Sequence, residues 1–300
     1  MKEVTKHSKR KFIIGSEWLS YKLYMGTQTA DTFIKTQLIQ IINDLTSKNC
    51  INDWFFIRYA DPDLHLRLRF HVPNTNQIGE ITSRLYESVE PLLNDRLIHK
   101  VQVDTYSREL ERYGHQTIEE SEKLFCINSQ MIIQVLRATN DNENSRWLLG
   151  MKAIDILLNA FDYSLLEKRD LLFEMKTDFA NEFGINKNIR KQLSMKFRNS
   201  RKEISTLLDP EAENETYNML SKYGEEYKKI FKGIISKERP LNTKVNKNYL
   251  MYSYLHMHCN RLFPAKQRMN EWVLYDLLYQ YYYSHYARFK ANQKSIAIVA

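Results

Sequence analysis

The stretch from Trp54 to His71 constrains this chain more than any other. It reads as two strands around an Asp61-Pro62-Asp63 turn. On the second strand, alternation places His65, Arg67, Arg69 and His71 on one face and Leu66, Leu68, Phe70 and Val72 on the other. The apolar face must pack on a core. The opposite face carries four potential cations in a row, which need water, acidic partners or an anionic ligand.

The segments around this hairpin extend the pattern. Ser16 to Met25 alternates as a strand and stops at Gly26. Asp31 is an expected N-cap for a helix reaching Leu45, with Phe33, Leu38, Ile41, Ile42 and Leu45 as its apolar stripe. Ile78 to Leu93 reads as a second helix and His99 to Tyr106 as a further strand. This strand–helix–strand–strand–helix–strand order is a split βαβ pattern.

After Tyr113-Gly114 the periodicity is helical, over 119–137, 145–161, 166–183, 211–236, 248–262 and 270–290. Ser164 and Glu167 have capping-box spacing. Residues 239–244 read as a loop. The expected class is α+β: a small early antiparallel or mixed sheet packed with a predominantly helical C-terminal two-thirds. We expect one domain over 1–300, with a sheet-containing part at 1–114 and a helical part at 115–300.

Composition excludes several classes. Eight glycines and six prolines among 300 residues are too few for an all-β or disordered chain. No apolar run is long enough to span a membrane, and the basic N-terminus lacks a secretory apolar segment, so cytoplasmic residence is expected. Cys50, Cys126 and Cys259 are far apart and form neither a disulfide framework nor a zinc motif. The net charge of +8 suits an anionic ligand, nucleic acid or an acidic peptide. Part of it lies in Lys187–Lys202, a basic helical segment whose Ile189, Leu193, Met195 and Phe197 are roughly helix-spaced. We read it as a solvated helix face rather than a nucleic-acid patch.

Phosphate-loop, dinucleotide, serine-elbow, HExxH and EF-hand signatures are absent, which leaves three polar clusters. In the hairpin, Arg67 and Arg69 point the same way, about 6.5–7 Å apart at two residues' rise. Such a pair can grip carboxylates bidentately, or it can belong to a surface strand paired with nearby acids. In the second cluster, Asp104 to Gly114, Arg108 and Arg112 taken alone read as ion-pair formers with Glu109 and Glu111. In the third, Ser253 to Phe263, a helix brings His256 near Asn260 and, less closely, Arg261, while His258 points elsewhere. His256 and His258 are badly spaced for zinc, and no metal is expected.

These three clusters together, Trp54–Phe70 (WFFIRYADPDLHLRLRF), Asp104–Gly114 (DTYSRELERYG) and Tyr254–Phe263 (YLHMHCNRLF), resemble the C-terminal glutamate-elimination domain of class I lanthipeptide dehydratases, the nisin dehydratase type. Stand-alone versions occur in thiopeptide pathways. The resemblance covers essentially the whole chain. It implies β-elimination of glutamate from glutamylated Ser or Thr of a precursor peptide, leaving dehydroalanine or dehydrobutyrine. A separate tRNA-dependent protein would attach the glutamate, with no direct need for tRNA here. No cofactor and no metal are implied, and a homodimer is allowed.

By the same resemblance, Arg67, Arg69 and Arg108 would serve the glutamyl carboxylate and developing anions, and His256 would transfer a proton. Arg58, Tyr59, Arg112, Asn260 and Arg261 would support them. The chain departs from the family pattern at His115 after Gly114, at Asn128-Ser129 where an Asp-Ser pair is common, and at Pro264 after Phe263. Two other readings are a thiopeptide pyridine synthase, which joins two dehydroalanines and releases leader peptide, and a non-catalytic scaffold that presents leader peptide.

Overall fold

A computed structural model describes residues 8–139, 141–208, 215–237 and 244–299. The chain is compact in two units, Met1–Asn140 with Lys229–Ala265, and Asp141–Lys228 with Lys266–Ala300.

The first unit opens with β1 (Lys11–Phe12) and β2 (Trp18–Met25). A long helix follows as α1 (Thr27–Phe33), a π-helical turn (Ile34–Leu38) and α2 (Ile39–Ser47). The hairpin is β3 (Trp54–Tyr59) and β4 (His65–His71), joined through a cis Asp61-Pro62 peptide. A short 3-10 turn, Thr75–Gln77, capped by the Asn74 side chain, leads into α3 (Ile78–Asn94). Then come β5 (Ile98–Asp104), β6 (Tyr106–Ser107), α4 (Leu110–Tyr113) and α5 (Ile118–Ala138).

The main sheet has the order β3-β4-β2-β5, all antiparallel, and β1 pairs with β6 in a separate ribbon. Placing β4 between β3 and β2 is the split βαβ arrangement that the element order predicts. The strand expected over His99–Tyr106 breaks at Thr105, so that Tyr106 and Ser107 can pair with Phe12 and Lys11.

Leu66, Leu68, Phe70 and Val72 are all buried, as their alternation requires. They share a sheet face with buried Leu19, Tyr21 and Leu23. The Tyr21 hydroxyl reaches Thr82 of α3 at 2.9 Å. Asp31 is not the expected N-cap. The helix begins a turn earlier, after Gly26, and Asp31 lies buried inside it, 2.5 Å from the Arg58 guanidinium. A largely covered cation on β3 claims this carboxylate, which overrides its local preference for a helix start.

The second unit holds α6 (Glu143–Ala160), α7 (Leu165–Glu182), α8 (Lys187–Leu208) and the first part of α9 (Glu215–Lys237). The last part of α9 and α10 (Lys244–Leu262) belong to the first unit, and α11 (Gln267–Val299) to the second. The Ser164–Glu167 capping box starts α7. On α8, Leu193 and Phe197 are buried, but Met195 is 51% exposed and falls off the expected stripe. The buried Asp155 carboxylate ties α6, α7 and α11 together. It accepts from Lys168 Nζ at 2.6 Å, the Tyr282 hydroxyl at 2.6 Å and Asn159 Nδ2 at 3.0 Å. The loop expected at 239–244 lies outside the described residues except for Lys244, which opens α10. Among the described residues no helix is long and apolar enough to cross a membrane.

Candidate anion site on the sheet face

β4 presents Arg67 and Arg69 on the face opposite the apolar core, with Ile57 and Phe55 of β3 beside them and Lys22 and Ser20 of β2 on the other side. The Arg67 guanidinium lies over the Tyr59 ring, 3.5 Å from its centroid. Arg69 lies over Tyr106 at 4.2 Å and Phe55 at 5.2 Å. Guanidinium planes stack well on aromatic faces, and these rings fix both forks without consuming their donors.

Neither arginine pairs with a carboxylate among the described residues. Arg67 donates one bond, from Nε to His65 Nε2 at 3.2 Å. Arg69 makes no hydrogen bond to a described residue, and its Nε is buried without an acceptor. Burial pulls the Arg69 guanidinium below its ordinary value, and the neighbouring Arg67 charge pulls the same way. A buried donor on an unneutralised cation is costly, and an anionic ligand removes that cost.

His65 is not one of four cations. Its Nδ1 lies 2.7 Å from the Asp63 carbonyl, which only accepts, so Nδ1 carries the proton and Nε2 offers its lone pair to Arg67. Burial lowers its pKa, as do the charges of Arg67 and Lys22. The ring is a neutral acceptor that orients Arg67.

Beside Arg67, Lys22 and Asp104 form an ion pair at 2.7 Å. Burial alone would raise the Asp104 pKa. The Lys22 ammonium, the Thr105 N–H and the Arg67 charge outweigh it and hold the carboxyl below its ordinary range.

Arg108 does not present an open fork. It is buried and holds Glu122 of α5 through Nε at 2.7 Å and Nη2 at 2.6 Å. The same Glu122 oxygen that binds Arg108 Nε accepts from the Tyr106 hydroxyl at 2.7 Å. Burial and Glu122 keep the Tyr106 phenol protonated, well above its ordinary pKa. Arg108 therefore reaches Arg69 indirectly, through Tyr106, whose ring underlies Arg69: Glu122 links the two by hydrogen bonds, and the Phe12 ring, under Arg108, stacks on Tyr106. Of the ion pairs expected here, Arg112 with Glu109 forms at the surface at 3.3 Å, while Glu111 pairs instead with Arg10 at 2.5 Å and Arg108 with Glu122.

The third cluster closes the outer edge of β3. Asn260 on α10 accepts from the Arg58 N–H at 3.0 Å and donates to the Arg58 carbonyl at 2.9 Å. Arg261, fully buried, donates from Nε to the Phe56 carbonyl at 2.9 Å. Ser129 Oγ of α5 lies 3.4 Å from the Phe56 N–H. The Arg58 side chain leaves on the core face, toward Asp31 and the Arg261 carbonyl, away from Arg67 and Arg69. His256 is half-buried one helical turn before Asn260, on the side of α10 that meets β3. Among the described residues neither β4 arginine bonds to it. His258 does not stand apart: its Nδ1 lies 3.0 Å from Asn128 Nδ2, and Asn128 Oδ1 also accepts from Arg261 at 3.2 Å.

Sequence reasoning did not single out Tyr106, Glu122 or Lys22 and took Asp31 only as a helix cap, because their partners lie elsewhere along the chain. Asn128-Ser129 did register, as a departure from a family pattern, and both residues are used. Among the described residues no group of three His, Cys, Asp or Glu is placed to hold a metal.

Comparison with known proteins places these features in context. The family model described as "Lantibiotic biosynthesis dehydratase C-term" matches residues 18–282. The subtilin biosynthesis protein SpaB of Bacillus subtilis is 23% identical over 282 residues, covering 92% of this chain and 26% of SpaB. The chain thus spans about a quarter of the length of such relatives. The tRNA-dependent lantibiotic dehydratase MibB of Microbispora sp. 107891 shares the fold, with a TM-score of 0.69 at 18% identity over 89% of this chain and 28% of MibB. So does TbtD, the pyridine synthase from thiomuracin biosynthesis, with a TM-score of 0.64 at 9% identity over 89% of this chain and 99% of TbtD.

Proposed function

The chain belongs to the lantibiotic biosynthesis dehydratase C-terminal family, and from that premise we propose that it eliminates glutamate from glutamylated Ser or Thr of a ribosomally made precursor peptide. A base removes the Cα proton, its electron pair forms the Cα–Cβ double bond, and the Cβ–O bond breaks to release glutamate as a carboxylate. The product is dehydroalanine or dehydrobutyrine.

One observation carries the reading: two guanidiniums, Arg67 and Arg69, share a sheet face on aromatic platforms with no acidic partner among the described residues. A departing carboxylate is the kind of anion that such a pair stabilises, because the donors are already oriented when charge develops. Tyr59 and neutral His65 orient Arg67. Arg108 acts as a positioning residue, fixing Tyr106 through Glu122. Arg58, Asn260 and Arg261 hold β3 in place. His256 carries the proton. Arg112 keeps the supporting place that the family resemblance gives it. A separate glutamylating protein supplies the ester substrate.

The test is purified protein with a glutamylated peptide, followed by mass spectrometry. The wild type should remove glutamate, while Arg67→Ala, Arg69→Ala and His256→Ala should leave the ester. Full dehydration by all three variants would overturn the assignment. The same protein with a dehydroalanine-bearing peptide tests the alternative that its likeness to TbtD supports. Ring formation with leader release would establish a pyridine synthase, and binding without turnover would establish a scaffold.

A further inference from the structure

The two edges of the main sheet are treated differently. At β3, side chains of Ser129, Asn260 and Arg261 occupy the outward backbone groups of Phe56 and Arg58. At β5 nothing does so among the described residues. The β2 bonds Met25 N–H to Leu64 O and Glu17 O from Val72 N–H run toward β4, so odd-numbered β2 positions face β4 and even-numbered ones face β5. Ser20, Lys22 and Tyr24 therefore bond Asp104, Gln102 and Lys100. The backbone groups of Val101 and Val103 point outward.

Their side chains are also exposed, at 38% and 39%. Natural edges are commonly blunted by a protruding lysine, a proline or a bulge in mid-strand. Here Lys100 folds back over the Tyr24 ring at 5.0 Å, and the irregularity in the pairing lies at the strand start, between Tyr24 and Met25. An open edge with exposed β-branched residues is a template for another strand.

We propose that this edge is the contact by which two copies of the chain pair about a two-fold axis, β5 antiparallel to β5, merging two four-stranded sheets into one. Only registers that face outward residues with outward residues make hydrogen bonds. Centred on Gln102, Val101 meets Val103 of the other copy twice, and all their outward N–H and C=O groups are satisfied. The same register sets Lys100 opposite Asp104, twice. Asp104, already beside Lys22 at 2.7 Å, gains a second cation. Centring on Val101 or Val103 loses both charge pairs. Opposite charges and β-branched pairs are the cross-strand combinations that stabilise antiparallel sheets. This inference stands independently of the elimination chemistry.

The test is the mass in solution by light scattering at tens of micromolar protein, with variants. Wild type should be a dimer. Val101→Pro removes an outward N–H and leaves the ladder to β2 intact, so it should fold, by circular dichroism, and dissociate at least tenfold more readily. Lys100→Glu, at an exposed position, should also weaken the dimer. Gln102→Cys should crosslink under mild oxidation, because the two positions face each other within disulfide reach and Cys50, Cys126 and Cys259 are buried. A wild-type monomer, a dimer indifferent to Val101→Pro and Lys100→Glu, or a dimer that Gln102→Cys cannot crosslink would overturn the proposal. So would a monomer whose Val101 and Val103 amides gain exchange protection only when an extended peptide or another protein is added.

Discussion

Asn260 holds Arg58 by its backbone: one carboxamide accepts the Arg58 N–H at 3.0 Å and donates to its carbonyl at 2.9 Å. An amide side chain thus stands where a neighbouring strand's peptide group would stand. The partially buried edge of β3 keeps both bonds without a further strand.

Asn260→Ala leaves two backbone groups without partners and should destabilise the fold by about 2–4 kcal/mol. Asn260→Asp retains the acceptor, loses the donor and sets a carboxylate against a carbonyl, so it should fall between. Urea unfolding midpoints of the three proteins check the order.

Arg69 should separate stability from function. Its Nε is buried without an acceptor and no described carboxylate pairs with it, so folding desolvates a cation that Glu109 and Glu122 offset only through their more distant charges. Arg69→Met should leave stability unchanged or raise it by about 1 kcal/mol while abolishing release of glutamate. Thermal unfolding alongside the peptide assay reads both. A strongly destabilised Arg69→Met protein would show that the guanidinium serves the fold instead.

His65 gives the fold a pH dependence of known sign. Burial holds its folded pKa below the ordinary 6.5, aided by the Arg67 and Lys22 charges. Its contribution to stability is therefore fully present above 6.5. As pH falls through 6.5 the unfolded chain takes up a proton before the folded one, and stability declines until the folded pKa is reached. His65→Gln should remove that component of the slope. Denaturant unfolding of both proteins at steps from about pH 8 to about pH 5 measures it.

The Arg108–Glu122 pair should behave as a unit. Glu122→Ala leaves a buried guanidinium uncompensated and should cost about 3–5 kcal/mol. The double variant Arg108→Met/Glu122→Leu should recover much of that loss. If it recovers stability but not glutamate release, Arg108 acts on the chemistry by positioning Tyr106 beneath Arg69.

The pattern of β4 was legible because strand alternation is local: Leu66, Leu68 and Phe70 must share a face, and Arg67 and Arg69 must share the other. The element order gave the sheet topology for the same reason, and Ser164 with Glu167 marked the start of α7. What escaped was pairing at a distance. Asp31 has the local chemistry of a helix cap, yet Arg58 claims it from another strand. Arg108 has acids at Glu109 and Glu111 beside it, yet Glu122 takes it because both are buried together. Which of the four potential cations on this face is neutral was not legible, because nothing in an alternating strand reveals that His65 is desolvated and accepts from Arg67.

The sealing of β3 also sets an order of events during synthesis. The strand emerges early, but Ser129 follows about 70 residues later and Asn260 and Arg261 more than 200 later. Until α10 leaves the ribosome, the nascent sheet carries two raw borders instead of one. Chaperone dependence should therefore be greatest for chains stalled between α5 and α10, and should fall once residue 261 is free of the exit tunnel.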